Sequence, residues 1–386
     1  MNETRIGIIG MGNMGRFHAA DLLAGKVPRA RLAAVGSTSP VKLAEYAAQG
    51  VRVFEGAAAM IASGTIDALL VATPHPQHPE QGAAALRAGL HLMVEKPIAS
   101  HKADAEKLIA EAKARPGQVF AAMFQLRVEP RYVAIRNLIQ SGALGRLVRV
   151  VWIMSDWFRS EAYYRSGGWR ATWKGEGGGV LLNQCLHQLD ALQWMAGMPS
   201  RVQAHVGLGR HHDIEVEDEV TCYLEFPGGA TGAFISSTGE APGSNRLEIA
   251  GTKARLILEH DRLVVTRNLV PSDEWSTTST VGFKKPETVT EEIPIPPAEV
   301  PHARLMTNFV NAILEGEALI APGAEGLHSV ELANAMLYSG LLGRALDLPL
   351  DGAAYEGRLN ELIAGSRREK KVEQVSSEDF AASFRR

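Results

Sequence analysis

The chain has 386 residues, 46% of them hydrophobic and 22% charged, with a formal net charge of −3. That length exceeds what one small core organises and points to at least two domains, and the near-neutral balance gives neither nucleic-acid-binding nor anionic-membrane character. No basic leader followed by an apolar segment opens the chain, no apolar run is long enough to span a bilayer, and Cys185 and Cys222 stand far apart; we therefore expect a cytoplasmic protein with no membrane partner and no disulfide.

From Arg5 to about Phe124, short apolar runs alternate with helical stretches. The predicted strands are Ile6 to Ile9, Leu32 to Val35, Ala68 to Ala72, Leu90 to Val94 and Val119 to Phe124. Helices are predicted over Val41 to Gln49, Pro79 to Ala88 and Lys102 to Ala114. This is the pattern of a doubly wound parallel sheet, an α/β domain over residues 1–124. Its first strand breaks into Gly10-x-Gly12-x-x-Gly15 before a helix. Gly10 permits the tight turn, Gly12 admits a pyrophosphate to the backbone, and Gly15 lets helix pack on strand, so Asn13 and Met14 belong to a dinucleotide cradle at a helix N-terminus. The second strand ends in Val35-Gly36-Ser37-Thr38-Ser39, with no carboxylate to take a ribose 2′-hydroxyl. Ser37, Thr38, Ser39 and nearby Lys42 suit a 2′-phosphate, which slightly favours NADP over NAD. The strand over Leu90 to Val94 closes on Glu95-Lys96-Pro97, at the sheet edge where such folds place ligand chemistry.

Beyond residue 124 the pattern changes. One helix over Pro130 to Ser141 leads to a strand over Arg146 to Ile153. Further strands are predicted at Arg201 to Leu208, Val220 to Phe226, Ala230 to Ser236, Arg246 to Ala250, Ala254 to Leu258 and Arg262 to Thr266. These form a mostly antiparallel open sheet, covered on one face by helices at Val180 to Ala196, Arg304 to Leu314 and Glu325 to Leu346. We expect an α+β domain over 125–365 that binds substrate and oligomerises through the uncovered face, as a homodimer or homotetramer. Pro271 to Pro301 reads as a surface excursion and 366–386 as a charged tail.

Helical spacing would place Asn183, His187 and Asp190 on one stripe. Four of the six tryptophans, Trp152, Trp157, Trp169 and Trp173, lie in one stretch with Tyr163, Tyr164, Arg159, Arg165 and Arg170. Flat rings suit the C–H face of a sugar or cyclitol, and the polar groups suit its hydroxyls. His75 with His78, and His211 with His212, lack accompanying ligands at a recognised spacing, so no metal site is expected.

With Gly177-Gly178-Gly179-x-x-x-Asn183-x-x-x-His187-x-x-Asp190 following the glycine turn and the Glu95-Lys96-Pro97 triplet, the chain resembles the Gfo/Idh/MocA oxidoreductases over nearly its whole length. The resemblance extends to Thr73-Pro74 with His78, Gln125-x-Arg127, Gly142-x-Leu144-Gly145, Trp169-Arg170 and Glu217-Asp218. It implies NAD(P)-dependent hydride transfer at a secondary alcohol or ketone of a sugar, glycoside or cyclitol, with Lys96 and His187 at the reacting hydroxyl. Cofactor contacts are then expected from Thr73, Pro74, His78, Glu95, Lys96, Gln125, Trp169 and Arg170. Substrate contacts are expected from Lys96, Arg127, Trp157, Arg170, Asn183, His187, Asp190 and His302. Imidazole serves as a general base without tuning, whereas Lys96 would act either as a base of lowered pKa or as a cation on the oxygen. Asn183 stands where many members carry aspartate; an amide cannot take the proton and instead orients a hydroxyl. The resemblance also leaves open an NAD-dependent glycosidase that uses transient oxidation, and a nucleotide-sensing protein without turnover lies outside enzyme chemistry altogether.

Overall fold

The computed structural model describes residues 2–297 and 300–366. Its first unit runs β1 (Thr4–Ile9), α1 (Asn13–Leu23), β2 (Ala30–Gly36), α2 (Ala44–Ala48), β3 (Arg52–Phe54), α3 (Ala57–Ala62), β4 (Ala68–Val71), α4 (His78–Arg87), β5 (His91–Val94), α5 (Lys102–Lys113) and β6 (Phe120–Ala122). The six strands are parallel in the order β3-β2-β1-β4-β5-β6. Because helices cover both faces, successive residues such as Leu69, Leu70 and Val71 are all buried, which explains continuous rather than alternating apolar runs. Strand order reverses between β1 and β4, opening a crevice beyond their carboxyl ends. The helix expected over 41–49 is split into a short turn at Pro40–Lys42 and α2.

The second unit comprises α6 (Pro130–Gln140), β7 (Leu147–Met154), α7 (Glu161–Arg165), α8 (Trp173–Glu176), α9 (Leu186–Ala196), β8 (Arg201–Leu208), β9 (Glu217–Glu225), β10 (Thr231–Ser237), β11 (Asn245–Gly251), β12 (Ala254–Glu259) and β13 (Arg262–Asn268). It continues through α10 (Ser272–Thr278), β14 (Thr288–Ile293), α11 (Pro301–Glu315), α12 (Gly326–Leu342), β15 (Leu346–Asp347) and α13 (Gly352–Gly365). Nine strands form one sheet, β14-β13-β12-β11-β7-β10-β9-β8-β15, antiparallel except where β10 runs alongside β7. Along β7 the pleat sends Val150, Trp152 and Met154 into a core shared with Leu186 and Leu189 of α9 and Leu332 and Met336 of α12. Arg149, Val151 and Ile153 point to the opposite face, which no helix covers among the described residues.

Three expectations need correction. The helix expected from Val180 begins at Leu186, because Glu217 Oε1 accepts the Gly179 and Leu181 N–H groups (2.8 and 3.1 Å) and holds 180–185 as a turn. The excursion over 271–301 contains α10 and an edge strand, β14, paired to β13. The division at residue 124 does not separate two cores, since Ala303, Leu305, Met306, Phe309 and Val310 of α11 pack into the core of the parallel sheet. The two units are further joined at Lys102, whose ammonium donates to Glu331 (2.7 Å) and to the Leu350 carbonyl (2.6 Å). The expected charged tail, apart from Ser366, lies outside the described residues. No helix among the described residues is long and apolar enough to cross a membrane.

Candidate active site

The glycine turn has the shape a diphosphate requires. Gly10 has φ +96°, and a Cβ there would lie 2.5 Å from the Ala72 backbone. At Gly15 a Cβ would meet the Gly10 carbonyl oxygen at 2.1 Å, so α1 abuts the turn. At Gly12, the N-cap of α1, a Cβ would meet nothing within 4 Å, and no side chain caps the helix. The first-turn N–H groups, Asn13 and Met14 among them, therefore face open space and fit a dinucleotide's phosphates. At the end of β2, Ser37 is buried and its Oγ accepts the Ser39 N–H (3.1 Å), while Thr38 and Lys42 are exposed. No carboxylate stands at this strand end, as the sequence indicated.

Beyond β5, Lys96 Nζ donates to the main-chain carbonyl of Asn183 (2.6 Å). Burial lowers the Lys96 pKa and Arg159 lowers it further, against Glu95 and Glu176, which raise it. His187 occupies the first turn of α9, with its Nε2 3.2 Å from the amide nitrogen of Gln125. Burial first, then the charge of Lys96 and the proximity of His302, hold the imidazole well below its ordinary pKa and hence neutral near pH 7. His187 Nδ1 and Gln125 Oε1 are buried without a hydrogen-bond partner. These two orphaned polar atoms, on side chains that face each other, are open to a bound ligand.

Two residues that the sequence reading did not assign organise this pocket. The carboxylate of Glu176, at the end of α8, accepts from Asn183 Nδ2 and from the Ala171 N–H. The phenol oxygen of Tyr163 accepts from Asn183 Nδ2 (3.2 Å), Gln184 Nε2 (3.2 Å) and Arg170 (2.8 Å). Both N–H groups of Asn183 are thus used internally, which leaves its Oδ1 as an acceptor. Trp169 packs against His75, with ring centroids 5.8 Å apart, and carries the Arg170 guanidinium 4.7 Å over its own ring. Trp157 lies under Arg159 at 5.2 Å. The only sequence signal for Glu176 and Tyr163 was their position beside the triple glycine and among the tryptophans.

Seven of the expected contact residues are engaged with partners inside the protein. Arg127 and Asp190 are buried against each other, with Nε to Oδ2 at 2.8 Å and Nη2 to Oδ1 at 2.6 Å, and Arg127 also pairs with Glu325. Burial pushes the Asp190 carboxyl up while the guanidinium pulls it back, and the pair braces the turn at Gln125–Val128 against α9. His78 has both ring nitrogens 2.6 Å from carbonyls, those of Thr73 and Pro97, and ties the two loops together. Thr73 itself donates to Gln81 Oε1 (2.8 Å), and Pro74 starts the following turn. Glu95 is buried with Oε1 2.6 Å from His18 Nε2, and its Oε2 accepts the Lys96 N–H (3.2 Å). His302 is buried against Phe17 and His18, with centroids 5.0 and 5.8 Å away, and its pKa is pushed down to about 4 by burial and by His18. Among the described residues one group, His101, Asp104 and Glu356, gathers three side chains able to ligate a metal. Lys107 already stands between its carboxylates, 2.8 Å from Asp104 and 3.7 Å from Glu356.

Residues 4–123 match the model of an oxidoreductase family with an NAD-binding Rossmann fold, and residues 132–257 match the Gfo/Idh/MocA C-terminal domain. The chain belongs to the Gfo/Idh/MocA family. Trans-1,2-dihydrobenzene-1,2-diol dehydrogenase of Bos taurus is 32% identical to this Gfo/Idh/MocA chain over 190 residues, 49% of this chain and 53% of the relative. Inositol 2-dehydrogenase of Rubrobacter xylanophilus is 30% identical over 191 residues, 49% and 51% of the two chains. The chain thus spans about half the length of these curated relatives. The crystal structure of the WlbA dehydrogenase from Bordetella pertussis, in complex with NADH and UDP-GlcNAcA, superposes with a TM-score of 0.75 at 27% identity, covering 90% of this chain and all of that one.

Proposed function

We propose that this chain is a nicotinamide-dependent oxidoreductase that interconverts a secondary alcohol and a ketone on a sugar, glycoside or cyclitol, with Lys96 and His187 at the reacting hydroxyl. The observation that carries this reading is that the Lys96 ammonium, just beyond β5, bonds the Asn183 carbonyl on the turn leading into α9, where His187 Nδ1 is buried without a partner. The relatives' names support the substrate class: a cyclic diol, an inositol and a nucleotide sugar acid.

When bound, the nicotinamide supplies the hydride acceptor or donor. The N–H groups at the start of α1 would hold its phosphates, and Gln125 and Trp169 are the residues we assign to its ring. Ser37, Thr38, Ser39 and Lys42 would meet the adenosine ribose. They can donate to a 2′-phosphate, which leans the preference toward NADP without barring NAD. In the oxidative direction, neutral His187 takes the hydroxyl proton, the Lys96 ammonium stabilises the oxygen as it gains negative charge, and Asn183 Oδ1 accepts from a neighbouring hydroxyl to fix the ring. We further propose a cytoplasmic homo-oligomer formed through the uncovered sheet face. The test is a screen of sugars and cyclitols with NAD and NADP, then Lys96→Ala and His187→Ala on the best pair. Turnover falls by about 100-fold or more in each, as general acid–base groups contribute, while cofactor affinity persists. Near-parental turnover in both variants would refute these roles.

A further inference from the structure

The reading above leaves one cation of the pocket without employment. Arg159 lies on the segment between β7 and α7, and its main chain is pinned from both sides: its N–H donates to the Thr238 carbonyl (2.9 Å) and its carbonyl accepts from His212 Nε2 (2.8 Å). His212 is in turn held by Asp218, which accepts its N–H and lies 3.0 Å from its Nδ1. The guanidinium is wedged between two rings, 5.2 Å from the Trp157 centroid and 5.0 Å from that of Tyr163. Its single hydrogen bond is from Nη1 to the neighbouring Phe158 carbonyl (2.9 Å). Nε is buried with no partner, and among the described residues no carboxylate lies within ion-pair distance of the group.

Elsewhere in this chain such cations are matched. Arg127 meets Asp190 and Glu325, and Lys102 meets Glu331. A partly buried guanidinium with an orphaned N–H is costly to maintain unless an acceptor arrives. The setting adds to the demand. The guanidinium of Arg170 lies 4.6 Å from the same Tyr163 ring, and the Lys96 ammonium is close enough for Arg159 to shift its titration. The nearby Glu176 carboxylate is engaged by Asn183 and the Ala171 N–H.

We propose that the substrate of this pocket carries an acidic group, a carboxylate or a phosphate, and that Arg159 is the residue that binds it. The planar fork of an arginine presents parallel N–H donors that fit two oxygens of either anion, and the stacked rings hold the fork in place before the ligand arrives. The proposal rests on the oxidoreductase reading for the location of the substrate, and within that class it selects sugar acids or sugar phosphates over neutral sugars and cyclitols.

Full-length protein saturated with NADH, and separately with NADPH, is titrated by calorimetry with D-glucuronate, D-glucose 6-phosphate, D-glucose and myo-inositol at one ionic strength. The expected result is an anionic sugar binding at least tenfold more tightly than glucose, the carboxylate and phosphate arms showing which group is recognised. Arg159→Met then weakens that anion by tenfold or more and leaves NADH affinity and melting temperature unchanged. Arg159→Lys, which keeps the charge and loses the fork, weakens it less and keeps the test valid if methionine unfolds the segment. The proposal is overturned if neither anion binds better than the neutral sugars, or if Arg159→Met leaves its affinity within twofold. Turnover of neutral polyols that survives Arg159→Met would overturn the acidic substrate and leave the oxidoreductase standing. Anion binding through Arg159 with no NAD(P)H formed or consumed would do the reverse.

Discussion

Replacing Gly12 by alanine separates a glycine needed by a ligand from one needed by the fold. Its backbone angles, φ −81° and ψ −161°, are open to any residue, and its added Cβ meets no protein atom within 4 Å. The unliganded variant should therefore match the parent within about 0.5 kcal/mol, as expected of a substitution without a steric or backbone penalty. The methyl group does stand where diphosphate oxygens must approach the N–H groups of α1. Losing one such charge-assisted bond costs about 1.5–3 kcal/mol, or roughly a 10- to 150-fold rise in Kd. Gly15→Ala is the contrasting case. Its Cβ would sit 2.1 Å from the Gly10 carbonyl oxygen, so the helix must move, and folding suffers by about 1–3 kcal/mol or more. NADH fluorescence titration and thermal melts of the unliganded proteins measure both quantities. A Gly12→Ala protein that binds NADH and NADPH within twofold of the parent would refute the assignment of this turn to the diphosphate.

Arg127→Met strands a buried carboxylate and should cost about 3–5 kcal/mol in urea unfolding, as should Asp190→Asn, whereas the double replacement costs much less than their sum. In Asn183→Asp the new carboxylate faces Glu176, so turnover should fall by roughly tenfold or more; adding Glu176→Gln removes the repulsion and restores most of it, and a double variant no better than the single one argues against the contact. His302 is neutral in the fold down to about pH 4, while the unfolded chain takes up its proton near pH 6.5. Stability from this group is thus full above pH 6.5 and is lost as pH falls toward 4, by up to about 3 kcal/mol. His302→Gln should show a correspondingly shallower fall in denaturation free energy over that window, and parallel pH profiles for the two proteins would contradict it.

Much of the nucleotide-binding half was legible because its signals are local. An apolar run, a glycine turn and a helix start within a dozen residues specify β1, the cradle and α1 together. β3 escaped because three residues at a sheet edge, with Arg52 and Val53 exposed, carry no pattern. β14 is exposed along nearly its whole length and reads as loop for the same reason. The start of α9 was misjudged because Val180, Leu181 and Leu182 extend the apolar period of the helix, and what stops it is a carboxylate from Glu217 on a distant strand. The same limit applies to the site. Lys96, Asn183 and His187 of the proposed site stand in motifs, whereas Arg127 and Asp190 looked available until their mutual pairing across 63 positions was visible. Glu176 and Tyr163 gain their roles only through contacts with Asn183.

The return of α11 to the parallel sheet governs how this polypeptide can be divided or inherited. A fragment ending at residue 124 would expose the seats of Leu305, Met306 and Phe309 as a sticky trough, a target for chaperones and self-association. Exchange of halves between paralogues would succeed only where the incoming C-terminal portion supplies a matching plug. The two sheets are thus one linked block, and minimal versions for engineering should be sought by trimming peripheral loops, never by excising the front module.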